Sequence, residues 1–142
     1  MRILGLDVGD RRIGVALSDP MGILASVLTV IERKADRSEF QVIVDLVNEH
    51  GAGKIVVGLP RSMDGTIGPQ AEKTQDFARS LAELIDVPVE LSDERLSTSI
   101  ADKLLRDTGK SREQIKKKRD AAAAALILQW YLDEHRSNGV TS

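Results

Sequence analysis

Hydrophobic positions open the chain in two short runs, "RILGLDV" at 2–8 and "RIGVALS" at 12–18, parted by Gly9, Asp10 and Arg11. Apolar runs of this length around a turn signal predict a β-hairpin. A third run at 22–31 follows Asp19-Pro20-Met21 and extends the meander. The period then changes. Asp36 stands as a helix N-cap with Glu39 three residues on, and Phe40, Ile43, Val44 and Val47 recur at helical spacing until His50-Gly51.

"KIVVGLP" at 54–60 reads as a fourth strand, and the turn-rich 61–68 as a loop. Pro69 opens a second helix, which carries Ala71, Thr74, Phe77, Ala78, Leu81 and Leu84 as far as Ile85. A fifth strand spans 87–96. "STSIADKLLRDTG" is a short helix closed by Gly109, and Ser111 with Gln114 forms a capping box that opens a long, alanine-rich last helix. The order predicts an α/β fold: a mixed five-stranded sheet, three antiparallel strands then two parallel ones, with helices on both faces. Residues 1–137 are expected to form one domain and 138–142 a polar tail. In such sheets ligand chemistry gathers at the carboxyl ends of the strands, where Asp7, Asp93 and Glu94 all stand.

Composition narrows the chemistry. The 142 residues contain no cysteine and two histidines, so thiolate catalysis and thiolate metal sites are excluded, and any metal is held mainly by oxygen. No apolar run is long enough to span a membrane and no leader pattern opens the chain, so a cytoplasmic protein with no membrane partner is expected. The net charge is -2. Charge is unevenly spread, however: "KSREQIKKKRD", 110–120, is +4 and leaves -6 to the remainder. Such a run is either a solvated helix start or a phosphate-binding edge.

Asp7 is the anomaly in the opening run. A carboxylate at a partly buried rim is costly unless it is paired, hydrogen-bonded or bound to metal. A salt bridge to Arg11, Arg12 or Arg95 satisfies it, and so does a metal shared with other acids. Asp120 supports the second alternative, because it lies beside the stripe of Ala123, Ala124, Ile127 and Tyr131. Gly5, Gly9 and Gly14 lack side chains that would obstruct a ligand beside Asp7, although turn geometry explains Gly9 equally well. Trp130 and Tyr131 read as core or interface residues, His50 offsets a helix dipole and His135 lies at the surface.

"LDVGDRRIGVALSD", "VVGLPRSMDGTIGPQA", "DERLSTS" and "KKKRDAAAAALILQWYL" together resemble the YqgF family, also called RuvX, relatives of the RuvC-like nucleases. The resemblance implies an RNase H-like fold and a hydrolase that cuts phosphodiester bonds with Mg2+ or Mn2+. It implies that Asp7, Glu94 and Asp120 are catalytic and bind the metal, with Asp93 the alternative to Glu94. A fourth acid has no match, which leaves the number of metal ions open. Arg11, Arg12, Arg61, Arg95, Lys116, Lys117, Lys118 and Arg119 would contact the nucleic-acid backbone, and Lys116 also stands at ion-pair spacing from Asp120. The implied substrates are structured RNA, at the 5′ end of the 16S rRNA precursor, or branched DNA at a Holliday junction. Junction resolution requires two sites and hence a homodimer. A non-catalytic ribosome-assembly factor is the rival, and retention of all three acids argues against it. A two-domain sugar-kinase-like ATPase would exceed this length.

Overall fold

β1 (Arg2–Val8) and β2 (Arg12–Ser18) pair antiparallel about a tight turn, in which the Gly9 N–H donates to the Arg12 carbonyl at 2.8 Å. The computed structural model describes residues 1–60, 68–93 and 122–135. β3 (Ala25–Glu32) continues antiparallel on β2. It starts later than the apolar run suggests, because the Asp19 carboxylate accepts the N–H groups of Ile23 and Leu24 and holds them in a turn with Gly22. Those bonds also lower the Asp19 pKa.

α1 (Glu39–His50) ends at Gly51, whose φ of 66° lets its N–H reach the Val47 carbonyl. Its beginning corrects the capping-box expectation. Ser38 is the N-cap, Asp36 accepts the Ser38 N–H, and Glu39 is buried against Arg33. β4 (Ala52–Leu59) starts two residues ahead of the predicted strand and runs parallel to β1. α2 (Pro69–Leu84) follows, and β5 (Val89–Asp93) is parallel to β4. The five-stranded sheet has the order β3-β2-β1-β4-β5, so β1 is central. Residues 122–135 are helical and are called α3 here. The expectations for residues 94–121, and the polar tail at 138–142, lie outside the described residues.

Strand alternation sorts the core into two layers. Leu4, Leu6 and Val8 of β1 join Phe40, Ile43 and Val47 of α1 and Phe77, Ala78 and Leu81 of α2 on one face. On the other, Ile3, Ala16 and Val56 pack with Ala124, Ile127, Leu128, Tyr131 and Leu132 of α3. The mixed sheet with helices on both faces is therefore observed. No helix among the described residues is long and apolar enough to cross a membrane.

Candidate active site

Asp7 is half-buried near the carboxyl end of β1, in phase with Ile3 and Gly5 and therefore on the α3 face. Its partner on β2 is Gly14. On β4 the strand position beside it is Gly58, which follows the Leu6–Val57 pair and itself pairs with Ser92 of β5. The carboxylate thus stands between two residues without side chains. Gly58 was missed in the sequence because its significance depends on the β1–β4 register.

Gly5 has a different use from the one its sequence suggests. A Cβ there would lie 2.8 Å from Leu128 Cβ and 3.3 Å from the Ala124 carbonyl, so this glycine admits α3 rather than a substrate. Gly9 belongs to the turn, since a Cβ would lie 2.9 Å from the Arg12 carbonyl. Of Gly5, Gly9 and Gly14, only Gly14 pairs with Asp7 across the sheet.

α3 runs antiparallel to β1. Ala124 and Leu128 lie over Gly5, while Tyr131 reaches Lys54, the partner of Ile3, with Lys54 Nζ donating to the Tyr131 hydroxyl at 2.9 Å. The Tyr131 hydroxyl donates in turn to Glu90, which also pairs with Lys54 at 3.3 Å. The Tyr131 bond, aided by Lys54, lowers the Glu90 pKa, and the same hydroxyl with Glu90 raises that of Lys54. Burial, with the Glu90 bond, raises that of Tyr131. At the opposite edge, Gln129 accepts the Ala25 N–H and donates to the Ile23 carbonyl. Side-chain bonds therefore fix α3 to both sides of the sheet.

A second network holds the turn after Asp7. Arg33 pairs with buried Glu39 at 3.0 Å and donates to the Gly9 carbonyl at 2.8 Å, while its backbone N–H bonds the Arg11 carbonyl. Arg11 is exposed, and Arg12 pairs with Glu32 at 3.2 Å. Asp93 occupies the register position beside Leu59, out of phase with Ser92. Glu94, Asp120, Arg61, Arg95, Lys116, Lys117, Lys118 and Arg119 lie outside the described residues. Tyr131 is buried, Trp130 is 60% exposed, and His135 is exposed, stacked on Tyr131.

A family model described as RuvX, Holliday junction resolvase, matches residues 1–134. The chain belongs to the RuvX family. A Pelotomaculum thermopropionicum protein named "Putative pre-16S rRNA nuclease" is 52% identical over 94% of this chain and 87% of its own length. A Moorella thermoacetica protein of the same name is 46% identical over 99% of this chain and all of its own. Membership makes the protein a nuclease, a hydrolase of phosphodiester bonds. Its fold is RNase H-like. Thermus thermophilus RuvC in complex with Holliday junction substrate superposes with a TM-score of 0.57 at 13% identity, over 95% of this chain and 96% of that one. Fowlpox virus resolvase in complex with Holliday junction DNA gives 0.57 at 12%, over 95% and 99%.

Proposed function

We propose that this nuclease uses a divalent metal held by Asp7, Glu94 and Asp120 to process the 16S rRNA precursor. The observation that carries the reading is the setting of Asp7: a carboxylate near the end of the central strand, between Gly14 and Gly58, on the face that α3 closes over Gly5. Carboxylate oxygen suits a hard cation. Among the described residues no three acids or histidines stand together, and Glu94 and Asp120 lie outside them.

In β5, Glu90 and Ser92 share the phase of Asp7 and Asp93 falls out of it. The roles of Glu94 and Asp120 rest on the motifs "DERLSTS" and "KKKRDAAAAALILQWYL".

Mg2+ or Mn2+ bound there would activate water and stabilise charge on the phosphate being cut. The three carboxylates hold and orient, and the Arg33–Glu39 network keeps the strand end carrying Asp7 in place. Arg11, Arg12, Arg61, Arg95 and Lys116 to Arg119 bind backbone phosphates without reading sequence. The names of the 46–52% identical relatives favour precursor rRNA, and with it a cytoplasmic enzyme. The family description favours a second substrate, the four-way DNA junction, for which the chain would act as a homodimer.

Purified protein is tested on precursor RNA and on a four-way junction under the same conditions, with Mg2+, Mn2+ or chelator. Metal-dependent cleavage of the RNA is expected, falling by more than about a hundredfold in Asp7→Asn. Near-normal turnover in that variant contradicts the site, and preference for the junction transfers the reading to DNA.

A further inference from the structure

On the sheet face opposite Asp7, at the same end of β1, lies a cavity of about 230 Å³ between the β3–α1 connection and α2, lined in part by Val8, Arg33, Arg37, Lys73 and Phe77. We infer that Arg33, Arg37 and Lys73 form a phosphate subsite that takes a backbone phosphate of the substrate away from the bond being cut. This rests on the nuclease reading above and adds a binding site to it.

Two features make the cavity more than a group of surface charges. The first is pre-organisation. The Phe40 and Phe77 rings stack at 4.8 Å, with the Arg37 guanidinium 4.9 Å over Phe40 and that of Arg33 5.4 Å over Phe77. A guanidinium laid on a ring loses less freedom when it binds a phosphate, and its flat fork matches phosphate oxygens. Arg33 spends Nε on Glu39 and one N–H on the Gly9 carbonyl, which leaves further donors on the same group.

The second feature is strain. Arg37 has φ of 61°, the only left-handed non-glycine among the described residues, in a turn where its N–H bonds the Lys34 carbonyl. Glycine adopts that conformation freely, whereas arginine does so at a cost, and such outliers gather at ligand clamps. Arg37 is exposed and has no ion-pair partner among the described residues.

Two acids also line the cavity, and each is matched. Asp10 meets Lys73 at 3.9 Å, and Asp76 meets Arg79 at 3.4 Å. The Lys73–Asp10 pair is about 70% exposed on both sides, so it is weak and readily exchanged for a phosphate. Through Arg33 the subsite shares a side chain with the turn behind Asp7.

The test uses full-length protein carrying Asp7→Asn, so that binding is read without cleavage, and a labelled precursor RNA titrated across a salt series. Arg37→Gly removes the guanidinium and suits the backbone. It should weaken binding and lower the salt slope by about one contact, and adding Lys73→Gln by about two. Arg2→Gln, at the other end of β1 and outside the cavity, is the control and should leave the slope unchanged. Equal losses in all variants, or none, overturn the subsite. A melting shift with millimolar inorganic phosphate that Arg37→Gly abolishes while RNA binding stays intact also overturns it, since the cavity would then hold free phosphate. Cleavage by Asp7→Asn protein at the wild-type rate would refute the nuclease site without touching this result.

Discussion

Replacing Gly5 by alanine tests the spacing on which the site depends. The added Cβ falls 2.8 Å from Leu128 Cβ and 3.3 Å from the Ala124 carbonyl, against about 3.5–4.0 Å for carbon atoms in contact. The overlap is about 1 Å, and neither obstacle can rotate away, because one is main chain and the other is bonded to it. α3 must lift. It does so against a layer in which Leu128 and Ala124 are fully buried, so a cost of about 1–3 kcal/mol is expected. For a chain of this size that lowers the melting midpoint by roughly 4–12 °C. Lifting α3 also disturbs the sheet face on which Asp7 stands, and a misplacement of about 1 Å at a catalytic group costs on the order of a hundredfold in rate. Calorimetry of Gly5→Ala, paired with the Mg2+ dependence of cleavage, checks both. A variant that melts like wild type refutes the close approach of α3. One that melts early but keeps its rate and Mg2+ response refutes the link between that spacing and the metal.

Tyr131→Phe keeps the ring against His135 but removes the hydroxyl shared by Glu90 and Lys54, and should cost about 1–2 kcal/mol near neutral pH. Glu90 has a lowered pKa, so its contribution is present above its ordinary 4.5 and is lost as pH falls through the folded value; Lys54 has a raised one, so its contribution is present below 10.5 and is lost as pH rises through the folded value. The melting difference between wild type and Tyr131→Phe should therefore shrink well below pH 4.5, and a constant difference contradicts the assignment. Gly51→Ala meets nothing within 4 Å, so its cost should be the left-handed backbone alone, about 1–2 kcal/mol by denaturant titration; no loss would mean that the α1 terminus relaxes.

Alternation and turn chemistry made the element order and the mixed sheet legible, because each strand and helix carries its own period. Asp7 was legible as well, as the single acid in a run of buried positions. The surroundings of Asp7 were not. Gly58 matters through a register between strands some fifty residues apart, and Gly5 through a helix more than a hundred residues later. Glu39 illustrates the same limit. Its spacing from Asp36 fits a capping box, but the guanidinium of Arg33 draws it into the core, and a tertiary ion pair leaves no local periodic trace. The Lys54–Glu90–Tyr131 cluster joins three separate elements and is equally silent in sequence.

Thermal melts of wild type, Asp7→Asn, Glu94→Gln, Asp120→Asn and Asp93→Asn, each in chelator and in millimolar Mg2+, test the shared metal site most directly. Converging carboxylates repel one another when no cation is bound, so in chelator the Asp7, Glu94 and Asp120 variants should melt at or above wild type. Mg2+ at about a hundred times its dissociation constant should stabilise wild type by about 2.7 kcal/mol. That gain should largely vanish in those three variants and persist in Asp93→Asn. A full Mg2+ gain in Asp7→Asn, or its marked destabilisation in chelator, would instead make Asp7 part of a structural ion pair and contradict the account.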